Sequence, residues 1–401
     1  MSYDLVVKGG TIIDPSQGMH EVNDVAFTGG KVAAIRSSIS DVDAKEVFDA
    51  SNLIVTPGLI DLHVHAFWGA SGFGIPPDPS NIAKGVTTAV DAGSAGARTF
   101  PAFRKWIIER SDTRLFALLN ISSMGMVGGN EIGELEDIRW ANVQDAIDSW
   151  QNNRDIVVGI KARLGKVQSA GNDVEALKRS LEVAEAVGGL VMIHIGNSTT
   201  PLEELCAMLR PGDVVTHSFA GFDDCLINDA GRVRPGLKEA AKRGVIFDVG
   251  HGGGGFSFIN AEKALADGFQ PGNISSDLHN MSVEGPVFDL LTTMSKFIYL
   301  GLSLNEVVRL STSTSASIIG KGNSLGTLAV GAEGDAAIMR LDSGRFPLID
   351  RLTSELSYHG MKWAPQTEVI ATEKLNHIAT VRRGKIYKPW LGTPYTASRP
   401  L

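Results

Sequence analysis

Only two cysteines, Cys206 and Cys225, occur in 401 residues, and they form no CxxC pair. That excludes a disulfide framework and a cysteine-based zinc site, and makes a reducing cytoplasm the expected setting. Positive charge is in deficit: 37 Lys and Arg stand against 45 Asp and Glu, a net charge of −8. Such a chain gains nothing from a polyanion, so nucleic acid is not an expected partner. No apolar run approaches the roughly 18 residues of a membrane span, and no membrane association is expected. The start, Met1-Ser2-Tyr3-Asp4, lacks the basic segment followed by an apolar one that marks a secretory leader. Long single-sign charge runs are also missing, and with 43% hydrophobic residues disorder is excluded.

What the chain has in quantity is short apolar runs punctuated by glycine. Asp4–Gly10 and Thr11–Asp14 are strand-like runs split by Gly9-Gly10, and Asp24–Phe27 and Lys31–Ile35 are split by Gly29-Gly30. Glycine pairs between β-branched runs predict hairpins. From Gly58 the rhythm changes to eight apolar runs with helical patterns between them. They are Leu59–His65, Val86–Asp91, Leu115–Ile121, Ile156–Lys161, Leu190–His194, Asp213–His217, Val245–Val249 and Asn273–Asp277. Uninterrupted apolar strands suit a parallel sheet buried on both faces. After Asn172-Asp173, the positions Val174, Leu177, Leu181 and Ala184 predict an amphipathic helix ended by Gly188. Ser303-Leu304-Asn305-Glu306 predicts a capping box at another helix start. Eight strand–helix units over residues 58–320 match an α/β fold of the (β/α)8 TIM-barrel type. Strand patterning returns at Gly326–Gly331, Asp335–Met339 and His377–Ile386. Since neither end offers a full core alone, residues 1–57 and 321–389 are expected to form one small β-sandwich domain. Residues 390–401 read as a tail or a subunit-contact arm, and a homo-oligomer is expected.

Barrel active sites lie at the C-terminal ends of the strands. His63 and His65 end the first run, and i and i+2 in a strand share a face, so two imidazoles there can share one metal. His194 and His217 each end a successive apolar run. Asp277 ends the eighth, where an aspartate serves either as a helix N-cap or as a metal ligand and proton acceptor; closing the cycle that began with His63 and His65 favours the second. Lys161 follows five apolar residues. An ammonium among four imidazoles repels a divalent cation, so in such a site Lys161 has to be neutral or converted to an anion, and burial shifts lysine readily.

His63-Val64-His65, Lys161, His194, His217 and Asp277, each ending a strand in this order, resemble the binuclear metal branch of the amidohydrolase superfamily. Val55-Thr56-Pro57-Gly58-Leu59-Ile60-Asp61 and Gly331-Ala332-Glu333-Gly334-Asp335-Ala336 extend the resemblance over nearly the whole chain. It implies two divalent metal ions, usually zinc, bridged by a carbamate on Lys161. His63, His65 and Asp277 would hold one ion, His194 and His217 the other. Gly159-Ile160-Lys161-Ala162-Arg163 and Ser275-Ser276-Asp277-Leu278-His279 are similar to a dihydroorotase-like or deacetylase subgroup. The implied reaction is attack of a metal-bridged hydroxide on a carbonyl, with Asp277 as general base and then acid.

The expected substrate is a small anionic acyl compound, an N-acetyl amino acid or an acetyl ester of a small carboxylate. Cyclic amide hydrolysis, as in dihydroorotase, is the alternative. A mononuclear deaminase leaves Lys161 without a role. A catalytically inactive scaffold acting through subunit contacts would be expected to lose ligands, and all six are present. Arg163, on the face of Lys161, reads equally as a grip for a substrate carboxylate or as a rim arginine paired with a surface acid. His251, followed by Gly252-Gly253-Gly254-Gly255, and His279 read equally as substrate-facing or as loop residues. Asp91 reads as a structural hydrogen-bond acceptor, and His20, His359 and His377 carry no chemistry.

Overall fold

The computed structural model describes residues 2–129, 131–222, 224–352 and 365–387. The expected tail and His359 lie outside the described residues. Strands β1 (Tyr3–Asp14), β2 (Met19–Thr28), β3 (Lys31–Arg36), β4 (Ala44–Asp49) and β5 (Ile54–Pro57) open the chain. A second set follows: β6 (Leu59–Val64), β7 (Val86–Gly96), β8 (Arg114–Asn120), β9 (Val157–Gly165), β10 (Leu190–Gly196), β11 (Val214–Thr216) and β12 (Ile246–Phe247). The chain returns to strand in β13 (Ala336–Ile349), β14 (Glu368–Arg382) and β15 (Lys385–Ile386).

Strands β6 to β12 pair in sequence order, every pair parallel. All residues of β6 and β7 are buried, as a sheet covered on both faces requires. Alternate positions divide between two apolar clusters: Ile60, Leu62, Val90, Ala92, Leu118 and Met192 in one, Leu59, Ala89, Ala117, Leu119, Val191 and Ile193 in the other. The eighth predicted run is not a regular strand. It bridges both edges of the sheet instead, pairing Asp248 with Asn273 and Val64 with Leu278, both parallel. Asp277 has φ +46°, and one left-handed residue is enough to break a strand ladder.

The intervening helices follow their signals. Gly188, at φ +74°, ends the helix Asp173–Val187. Ser303 accepts the Glu306 amide at 3.2 Å at the start of Leu304–Leu310, while the Glu306 carboxylate turns to Arg309. Asn172 does not cap; it donates to Leu135 O at 3.0 Å. No helix among the described residues is long and apolar enough to cross a membrane.

Both chain ends enter one mixed sheet, in the order β15-β14-β13-β5-β1-β2-β3, with β4 also beside β1. Two expectations fail here. Gly9-Gly10 is no hairpin turn but an irregularity inside β1, whose first half pairs with β4 and second half with β5. Gly9 sits at φ +68°, and a Cβ on Gly10 would meet Val55 Cγ2 at 2.5 Å. Gly326–Gly331 is not a strand either: Leu328 N donates to Asp14 Oδ2 at 2.7 Å and Gly331 N to Val32 O at 2.9 Å.

Asp14 is fully buried and accepts from Ser16, Gln17, Thr327 and Leu328. It ties the N-terminal strand to the returning chain. Asp14→Ala leaves the buried Leu328 amide without its acceptor. The variant is expected to unfold at lower denaturant, with about 2–3 kcal/mol of stability lost; an unchanged midpoint would contradict this role.

Candidate active site

The strand order brings the predicted residues to one place. His63 lies in β6, His65 directly after it, Lys161 in β9, His194 in β10 and His217 directly after β11. Nε2 of His63 and Nε2 of His65 each lie 3.3 Å from Asp277 Oδ1. That equals the edge of a tetrahedron whose arms are about 2.0–2.1 Å, the zinc–nitrogen distance. Asp277 Oδ1 is buried and has no hydrogen-bond donor. A buried carboxylate oxygen left without a donor between two imidazole nitrogens is costly unless a cation fills the gap. His63, His217 and Asp277 also place one ligand atom each within 4.8 Å of one another. These residues fit a divalent metal.

His217 and His194 face each other, with His217 Nε2 2.7 Å from His194 Nδ1. His217 Nδ1 lies 2.6 Å from Gly250 O. A carbonyl only accepts, so His217 donates from Nδ1 and presents a bare Nε2. His217 and Asp277 sit at φ +61° and +46°. For residues other than glycine such conformations cost about 1–3 kcal/mol each and persist where surrounding structure enforces them. Gly250 and Gly252 to Gly255 provide part of that enforcement. A Cβ on Gly252 would stand 2.2 Å from Asp277 Oδ2, and one on Gly255 2.4 Å from His217 Nδ1. The glycine run therefore lets the backbone close on the protein's own Asp277 and His217.

Burial sets the protonation states. It pulls His65 down to about 3 and His217 to about 4, and holds His63 and His194 well below the ordinary histidine value. All four are neutral imidazoles at pH 7, the form that binds metal. Lys161 is fully buried and brought down to about 7 by loss of solvent, against the pull of Asp277 and Asp248. Its Nζ contacts Met192 Sδ at 3.4 Å. Burial raises the Asp277 carboxyl.

A cavity of about 140 Å³ opens on these groups. His65, Lys161, His194, His217, Asp277 and His279 line it together with Phe73, Met126, Phe222 and Leu352. Arg163 lines it too, but its partner is not a surface acid. Glu134, itself buried, takes Nε at 2.7 Å and Nη2 at 3.2 Å. His279 places Nε2 3.9 Å from Asp277 Oδ2, and its Nδ1 accepts from Met281 N at 3.2 Å. His251 is the exception: it is fully buried and does not line the cavity. Its Nε2 lies 2.7 Å from Lys296 Nζ, and its ring stacks on Phe256.

Glu134 and Lys296 escape the sequence reading. Glu134 sits in an irregular loop with no periodicity to mark it. Lys296 leaves a trace, a lysine inside the apolar helix Leu290–Tyr299 whose residues 290–297 are all buried. Asp91 behaves as expected, accepting from Ala66 N and Ser94 N at 2.7 Å each.

Comparison with protein-family models finds no match. Over 390 residues the chain is 31% identical to a deacetylase of Enterococcus faecalis, covering 96% of this chain and 100% of that one. It is 37% identical over 290 residues to a deacetylase of Agrobacterium fabrum, covering 72% and 71% of the two chains. Among solved structures it is similar to an adenine deaminase (TM-score 0.87, 31% identity, 96% of this chain and 100% of that one). It is also similar to a dihydroorotase (TM-score 0.84, 31% identity, 95% and 97%). The chain belongs to the amidohydrolase superfamily of metal-dependent hydrolases, in its dihydroorotase-like and deacetylase subgroup.

Proposed function

We propose that this protein is a deacetylase acting on an N-acetyl amino acid or on the acetyl ester of a small carboxylate. The observation that carries the reading is the division of labour between the two oxygens of Asp277. Oδ1 faces the imidazoles of His63 and His65, whereas Oδ2 stands near His279 in a residue that lines the cavity. The full-length likeness to a deacetylase supports it. We read the parallel sheet with its eighth run as a (β/α)8 barrel, and the sheet built from both ends as a β-sandwich beside it.

In this reading His63, His65 and Asp277 would hold one divalent ion, and His194 and His217 the other, with Lys161, as a carbamate, a ligand of the pair. Two zinc ions there would supply Lewis acidity, lowering the pKa of water towards about 7. Asp277 takes the proton of the attacking water at Oδ2 and returns it to the leaving nitrogen or oxygen, acting as general base and then acid. Acetate and an amine or alcohol are released. Carbamate formation joins the Lys161 amine to carbon dioxide with loss of one proton. That needs the free amine, which burial makes accessible near pH 7. Arg163, steadied by Glu134 on one edge, offers its remaining N–H groups to the substrate carboxylate.

The reading is tested by incubating the zinc-loaded protein with N-acetyl amino acids of both hands, acetyl esters of hydroxy acids, and dihydroorotate. Acetate release from an acetylated carboxylate is expected. Turnover of dihydroorotate alone would replace the deacetylase with a cyclic amide hydrolase. Lys161→Ala should lose most bound metal and activity, with partial recovery in added short carboxylates; full metal content and turnover would remove the carbamate. Glu134→Gln combined with Arg163→Met removes the buried pair without stranding a charge. It should raise KM for anionic substrates about tenfold or more, as expected for a lost charge-assisted hydrogen bond, and leave neutral esters unchanged. Equal effects on both would discard the carboxylate anchor. Gly252→Ala forces a Cβ against Asp277 and should lower kcat about 10²-fold with the circular dichroism spectrum unchanged; wild-type kcat would mean that Asp277 tolerates displacement.

A further inference from the structure

Each of the two imidazoles that converge on Asp277 meets a buried hydroxyl behind it. His63 Nδ1 lies 2.9 Å from Thr216 Oγ1, and that hydroxyl donates to Asp248 Oδ2 at 2.7 Å. Asp248 Oδ1 accepts from Asn273 Nδ2 at 2.6 Å and from Ser275 Oγ at 2.7 Å. On the other side, His65 Nδ1 lies 2.9 Å from Ser94 Oγ. Asp91 accepts the Ser94 and Ala66 amides at 2.7 Å each. Thr216, Asp248, Ser94 and Asp91 are all fully buried.

Proton counting fixes the direction of the Thr216 chain. A hydroxyl has one proton and two lone pairs. Once that proton goes to the carboxylate, the hydroxyl can only accept from the imidazole. Nδ1 then carries the ring proton, and Nε2 is left as a bare lone pair. The bare Nε2 of His63 stands 3.3 Å from Asp277 Oδ1. A neutral imidazole without such a partner divides its proton between the two nitrogens, and the Nε2–H form cannot ligate a metal there.

We propose that Thr216 is a positioning residue that relays the buried carboxylate Asp248 to His63. The relay locks the His63 imidazole in the Nδ1–H tautomer and so sets the affinity for the cation held by His63, His65 and Asp277. The affinity clause rests on the metal reading of that trio. The tautomer clause stands on the hydrogen bonds alone. The hydroxyl comes from the last residue of β11, so it is not found by searching near the His63-Val64-His65 motif.

The test uses three full-length variants, Thr216→Val, Thr216→Ala and Thr216→Ser, with two readouts. Zinc affinity is measured by competition with a chromophoric chelator. Tautomers are read from imidazole ¹⁵N shifts of the metal-free, histidine-labelled protein. Thr216→Val and Thr216→Ala should weaken zinc binding about 10- to 100-fold, the usual effect of removing a partner of a ligating histidine. Thr216→Ser keeps the hydroxyl and should bind within a few-fold of wild type, which a role in packing the threonine methyl would not permit. In the wild type, Nε2 of His63 should resonate as unprotonated nitrogen, and its signal should shift towards a tautomer mixture in each hydroxyl-less variant. Should Thr216→Val not fold, Thr216→Ala decides. Unchanged ¹⁵N signals together with unchanged affinity would overturn the relay. A wild-type protein without zinc affinity would overturn the metal assignment and its affinity clause, while the ¹⁵N signals still decide the tautomer lock.

Discussion

A carboxylate oxygen buried beside two imidazole nitrogens, with no proton between them, is the constraint around which the site is arranged. Asp277 Oδ1 has no donor, and Nε2 of His63 and Nε2 of His65 each stand 3.3 Å from it. Three electron-rich atoms at 3.3 Å repel one another unless a cation joins them. Removing a charged group from water costs several kcal/mol even after relaxation. The surroundings bear this out. Gly252 leaves no room for a Cβ over Asp277, His217 and Asp277 keep left-handed backbones, and every nearby imidazole is neutral.

The parallel sheet makes that arrangement possible. Its strands all run one way, so their ends gather side chains from positions as distant as 63 and 217. Two apolar clusters, one on each face, fix each strand's register, because a one-residue slip would exchange the faces. The His63-Val64-His65 alternation then places both imidazoles together, with ring centroids 5.4 Å apart. Function follows from register: a shift of one residue in β6 would direct Val64, not His63 and His65, at Asp277.

The sequence made some of this legible and hid the rest for identifiable reasons. Apolar runs ending in histidine marked the sheet and the imidazoles gathered at its strand ends, because both burial and side-chain chemistry are written in residue type. Gly188 marked a helix end for the same reason. The eighth run was read as a strand since its composition fits, but the φ of Asp277 is set by tertiary contacts. Gly9-Gly10 carries a turn's composition and serves as a change of partner from β4 to β5, a choice that depends on strands forty residues later. Glu134, Lys296, Thr216 and Ser94 act through partners far along the chain, and no local pattern announces such pairs. His251 shows the converse: a histidine before a glycine run suggested a binding loop, yet it packs against Lys296 behind the wall.

The central claim is that His63, His65, Lys161, His194, His217 and Asp277 together hold two metal ions. Diffraction from crystals of the zinc-loaded protein, recorded on both sides of the zinc absorption edge, tests it most directly. Two anomalous peaks are predicted, one among His63, His65 and Asp277 and one beside His194 and His217, with density extending from Lys161 Nζ towards both. A map with no peak at Asp277 Oδ1, or with the Lys161 side chain turned away from the four imidazoles, would contradict it.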